Sequence, residues 1–146
     1  MAQALLRKAL AQDRGSGWPE IEVWSAGLGA LPGKPVSSEA LKVMKSHGID
    51  LSRHRARALE ERLVQEADLI LTMTGSQSGR LKDLYPRKSS AIFTLHEFAG
   101  RGSSDVVDPY GAGVEVYMRT AEQIKELIEE VVKRLRLQKK AMEEQI

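Results

Sequence analysis

At 146 residues the chain has the size of one domain and is long enough to bury its own core. Apolar residues make up 42% and charged residues 29%, a globular balance, and the net charge of +2 gives no electrostatic case for nucleic acid or membrane as a partner. There is no cysteine, which excludes disulfides, thiolate metal sites and a cysteine nucleophile within these residues.

The chain opens on Met1-Ala2-Gln3-Ala4-Leu5-Leu6-Arg7-Lys8-Ala9-Leu10. Ala2, Leu5, Leu6, Ala9 and Leu10 recur at helical spacing and predict an amphipathic helix that Gly15-Ser16-Gly17 should end. Arg7, Lys8, Gln12 and Asp13 make it too polar for a signal peptide, and no apolar run approaches the length of a membrane span. A cytoplasmic location is the expectation.

Residues 20–25 alternate as a strand does, and residues 27–35 form a loop rich in Gly and Pro. A helix is predicted over 37–47, with Ala40, Val43, Met44 and His47 on one face and Gly48 as a left-handed C-cap. Residues 50–58 read as a polar loop carrying Arg53, His54, Arg55 and Arg57. A short helix over 59–66 leads into Asp68-Leu69-Ile70-Leu71-Thr72-Met73, apolar on both faces as a strand inside a parallel sheet is. A helix over 76–84 stops at Pro86, and a strand follows over 91–95. Residues 97–113 read as a long polar loop. From Val114 a long helix carries the stripe Tyr117, Ala121, Ile124, Leu127, Ile128, Val131 and Leu135. Charges dominate after Arg136, so residues 136–146 are expected to form a charged helical extension, solvated or frayed, of a domain spanning 1–135.

This alternation of helix and strand predicts an α/β fold, a three-layer, doubly wound parallel sheet. Such sheets bind ligands beyond the C-terminal ends of their strands. The loops at that edge are 26–35, 74–77 and 97–113.

Single motifs are weak. Gly27-Leu28-Gly29 follows a predicted strand, but Pro32 and Pro35 break the spacing of a dinucleotide fingerprint. The arginines of 53–57 can attract phosphate, but a solvated loop is the favoured reading from sequence alone. His47 and His96 lack metal-ligand spacing with any acidic partner. Ser25 has no nucleophile-elbow context. The segment Asp105-Val106-Val107-Asp108-Pro109-Tyr110-Gly111 is more suggestive, because an Asp before Pro resists joining a helix and can be held over a pocket.

In order along the chain, six stretches resemble the low-molecular-weight protein tyrosine phosphatase family. They are Met1 to Leu6, Ser25-Ala26-Gly27, His47-Gly48-Ile49-Asp50, His54-Arg55-Ala56-Arg57, Ala67 to Met73, and Asp108-Pro109-Tyr110. The resemblance spans residues 1–135. It implies a sheet of four strands and a C-x5-R-S phosphate loop just before the first helix. Met1 falls where that helix begins, so the first strand and the loop are expected to be missing from the chain as given.

Family members attack phosphorus with the loop thiolate and hold the phosphate with loop N–H groups, the loop Arg and the helix N-terminus. By resemblance, Asp108 is the general acid/base. Tyr110 walls the substrate slot and Leu28 lies in the variable pocket loop. Ser25 and His54 brace the phosphate loop. No metal or cofactor is implied, and the partner is a phosphorylated protein. Gly111 after Tyr110 and Thr74 after Met73 depart from tyrosine-type members and look more like the bacterial branch acting on phosphoarginine. The expected function is a phosphotyrosine or phosphoarginine protein phosphatase, inactive as residues 1–146 alone. The alternative is a non-catalytic pseudophosphatase that binds phosphorylated groups or a protein partner. Nothing in the sequence indicates an oligomeric state.

Overall fold

The computed structural model describes residues 1–13 and 21–144. Helix α1, Ala2–Gln12, forms where predicted and buries Leu5 and Leu10. The expected break at Gly15-Ser16-Gly17 lies outside the described residues, as does Glu20. Helix α2, Ser38–Ser46, starts because the Ser37 hydroxyl accepts the Ala40 N–H at 3.2 Å. Gly48 follows α2 at φ +75°, a backbone conformation that glycine adopts at no steric cost. Helix α3, Glu61–Glu66, is a short turn that buries Val64.

Two strands pair in parallel, β1, Ile70–Thr72, and β2, Ile92–Thr94. Between them run helix α4, Gly75–Leu84, and a 3-10 turn over Pro86–Ala91. Thr74 starts α4 with a reciprocal cap to Gln77. Thr94 and Glu97 form the same box and start a helix that the sequence reading left as loop, α5, Leu95–Phe98.

Helix α6 spans Val114–Glu144 and buries Tyr117, Thr120, Ala121, Ile124, Leu127, Ile128, Val131 and Val132. Its stripe forms one core with Leu5 and Leu10 of α1, Ala40, Val43 and Met44 of α2, and Leu95 and Phe98 of α5. Arg134 stacks on Phe98, 4.1 Å from the ring centroid, and donates to the Phe98 carbonyl at 3.2 Å. Arg136 pairs with Asp13 at 2.7 Å and ties the end of α1 to the same helix.

The fold class is the expected one, a parallel sheet flanked by helices. Two expectations need correction. Residues 21–25 are not a strand: Ile21 and Trp24 are exposed, and the Val23 carbonyl accepts from the side chains of Gln3 (3.1 Å) and Arg7 rather than from a neighbouring strand. Alternation marks a segment able to pair, and a strand forms only where another presents its edge. Nor is β1 buried on both faces. Ile70 and Leu71 are half-buried, because only β2 flanks β1 among the described residues. The tail after Arg136 continues α6 as a charged helical extension to Glu144. No Gly or Pro interrupts it, and Lys139 and Glu143 pair one turn apart at 3.8 Å.

Met44 has no exposed surface, whereas Met118 on α6 is 50% exposed. Met44→Ala should cost about 2–5 kcal/mol in urea unfolding and Met118→Ala less than about 0.5 kcal/mol. Equal losses would show that the core is not centred on α2 and α6.

Candidate functional site

The loop at the C-terminal edge of β1 is anchored by its backbone. The Val106 N–H donates to the Met73 carbonyl at 2.8 Å. The Asp105 carboxylate accepts the Gly75 N–H at 2.8 Å, where a negative charge also suits the start of α4. This anchoring holds the next residues beyond β1. Pro109 is buried, while Asp108 and Tyr110 face solvent. The Tyr110 N–H donates to Asp108 Oδ1 at 3.0 Å and fixes the carboxylate in a local turn. Gly111 has φ +84°, so an aromatic residue there would be strained.

A second loop pair adjoins the first. The Gly27 N–H donates to the Arg57 carbonyl and the Leu59 N–H to the Gly27 carbonyl. Gly33 donates to the Ala56 carbonyl, and Ala56 donates to the Lys34 carbonyl at 2.8 Å. Residues 27–35 are thereby laid along 54–59, which brings the stretch holding Ser25 and Leu28 beside the one holding His54. Lys34 then reaches Tyr110, its ammonium 5.5 Å from the ring centroid. On the other side, Ser25 Oγ donates to Gln3 Oε1 in the first turn of α1 at 2.6 Å.

The residues singled out in the sequence thus fall on connected loops. Leu28 is half-buried. No hydrogen bond or ion pair joins Asp108 to Ser25 or His54 among the described residues. Two positioning residues were not singled out, Asp105 and Lys34. Asp105 could have been suspected from its place in the Asp105–Asp108 segment; Lys34 carried no signal beyond lying between two prolines.

Comparison with known proteins identifies this arrangement. The family described as low molecular weight phosphotyrosine protein phosphatase matches residues 1–141. The chain belongs to that family. It is 40% identical over 136 residues to the probable low molecular weight protein-tyrosine-phosphatase EpsP of Ralstonia nicotianae, covering 93% of this chain and 86% of that one. It is 31% identical to the protein-arginine-phosphatase of Bacillus subtilis, covering 93% and 87%. Among solved structures it resembles the YwlE arginine phosphatase from Geobacillus stearothermophilus, with TM-score 0.84 and 29% identity over 94% of this chain and 84% of that one. It also resembles the low molecular weight protein tyrosine phosphatase from T. tengcongensis, with TM-score 0.81 and 41% identity over 91% and 88%. Substrates of such a phosphatase family are phosphorylated proteins.

Basic groups gather at the start of α1, where Arg7 and Arg55 lie near His54. Burial lowers the pKa of the Met1 α-amino group. Burial also lowers that of His54, and the positive charges of the α-amino group, Arg7 and Arg55 push it the same way. The His54 ring is therefore neutral near pH 7, beside a concentration of positive charge. Among the described residues no group of three or more His, Asp or Glu is placed to hold a metal, and no helix is long and apolar enough to cross a membrane.

Two outcomes follow from this geometry. Asp105→Ala should free the loop and speed amide hydrogen exchange at Val106 and Tyr110 while leaving the α6 core protected; unchanged exchange would remove Asp105 as the anchor. The second concerns pH. Because the folded state holds the His54 pKa down, the unfolded chain binds its proton first as pH falls. The stabilising contribution is present above the unfolded histidine value of about 6.5 and is lost as pH falls through the lower folded value. Thermal midpoints measured downward from about pH 7.5 should fall, and less steeply in His54→Asn. A parallel decline in both proteins would place the titrating group elsewhere.

Proposed function

We propose that this chain supplies the acid/base and substrate-recognition parts of a phosphatase that hydrolyses phosphotyrosine or phosphoarginine in proteins through a phosphocysteine intermediate. The observation that carries the proposal is Asp108, fixed by the Tyr110 N–H in a loop pinned beyond the end of β1. In the catalytic form, the thiolate of a C-x5-R loop attacks phosphorus, and the leaving oxygen or nitrogen takes the Asp108 proton. Asp108 then takes a proton from water as the water oxygen attacks phosphorus and the thiolate leaves. Tyr110 flanks the departing group, and Leu28 lines the same slot. Ser25 and His54 stand beside the start of α1 and brace the phosphate-holding loop. The domain is residues 1–135, with 136–146 a charged helical extension, and the site of action is the cytoplasm.

The thiolate is not among these 146 residues, since the chain has no cysteine. Residues 1–146 alone should therefore show no turnover of para-nitrophenyl phosphate. Fusing a family strand and C-x5-R loop ahead of Met1 should restore it, and Asp108→Ala in the fusion should lower kcat about 10²–10⁴-fold. Turnover by residues 1–146 that Asp108→Ala abolishes would contradict the assigned need for the thiolate. A folded fusion indifferent to Asp108→Ala would contradict the acid/base role. Assaying the active fusion on phosphotyrosine and phosphoarginine peptides separates the two substrates.

The missing cysteine also favours a second reading, a pseudophosphatase that binds phosphorylated groups without turnover. It requires residues 1–146 to gain thermal stability from phosphate or vanadate, and a flat response to both would dismiss it.

A further inference from the structure

Four basic residues near the site, Lys34, Arg53, Arg55 and Arg57, have no role in the chemistry above. Lys34 is exposed, yet its backbone is held on both sides. Gly33 just before it takes φ +82°, Ala56 donates to its carbonyl, and Pro35 bridges to Arg55. Its ammonium is seated over the Tyr110 ring, 5.5 Å from the centroid. Arg53, Arg55 and Arg57 line the facing stretch and are also exposed. Arg55 bonds only carbonyls, those of Ser52 and His54. No carboxylate comes within salt-bridge distance of any of the four among the described residues. The nearby acids are engaged, Asp105 by the Gly75 N–H and Asp108 by the Tyr110 N–H. The rim of the site is thus a strip rich in positive charge without direct ion pairs, with Asp50 acting on Arg53 at its far end, and Lys34 is its member in contact with the slot wall.

We propose that Lys34 is a specificity-determining residue: its ammonium, seated over Tyr110, pairs with an acidic side chain next to the phosphorylated residue of a protein substrate. This rests on the proposed function, since it takes the Tyr110 slot to be where the phosphorylated residue enters. The ring orients the ammonium at the rim without neutralising it. Arg55 and its neighbours add a field that attracts acidic segments and disfavours basic ones. An exposed pair of this kind discriminates modestly and weakens with salt.

The test is an NMR titration of residues 1–146, which without a cysteine do not consume the ligand through a phosphocysteine. The probes are phosphotyrosine and phosphoarginine peptides whose flanking positions are Glu or Gln. The Glu-flanked peptide of at least one kind should bind about two- to fivefold tighter at low salt, a gap that shrinks as salt rises. Lys34→Gln should shrink the gap and Lys34→Arg should keep it. Equal binding of both flanks, or a gap unchanged in Lys34→Gln, overturns the role of Lys34 and leaves the proposed function standing. If no phosphopeptide shifts the signals of Leu28, His54, Asp108 or Tyr110, the role of Lys34 falls, while the fusion assay above still decides the proposed function.

Discussion

The structure depends on one packing constraint, the apolar stripe of α6. With two short strands among the described residues, the sheet offers no broad face for the core. The stripe takes that role. Ala121 and Val131 have no exposed surface, and α1, α2 and α5 each bring buried residues to the same cluster. Burying a side chain of Val, Leu or Ile size contributes about 1.5–3 kcal/mol, so this one helix gathers most of the driving force. Polar contacts then set its rotation and reach, Tyr117 to Ser37, Arg134 to Phe98, and Arg136 to Asp13.

The site is built differently. Its loops carry little apolar burial and are held by backbone hydrogen bonds between segments far apart in sequence. Val106 to Met73 and Asp105 to Gly75 hold one loop, while Gly27, Gly33 and Lys34 hold another against residues 56–59. The two meet at Lys34 and Tyr110. This arrangement sets an exposed acid at a defined place while the slot beside it stays open to solvent. Loops on a packed scaffold suit recognition, because they can present charged groups that a core would have to neutralise.

Much of the fold was legible from local pattern. The 3.6-residue spacing of Tyr117, Ala121, Ile124, Ile128 and Val131 marks α6, and Leu5 and Leu10 mark α1. Helix α5 was not legible, although Thr94 and Glu97 stand at capping-box spacing, because four residues are too few for a hydrophobic period. Residues 21–25 alternate without forming a strand, because alternation reports the ability to pair and not the presence of a partner.

By itself the sequence determined the family, the α/β class, the long C-terminal helix, and the absence of a thiol from these residues. These follow from the order of residues and their periodicity, which need no third dimension. Only the tertiary structure decided that Asp105 anchors the loop holding Asp108, that Lys34 sits over Tyr110, and that His54 shares its surroundings with Arg7 and the α-amino group of Met1. Each of these joins groups 30 or more residues apart, brought together by packing on α6 and by hydrogen bonds between loops. Local spacing carries no record of such contacts.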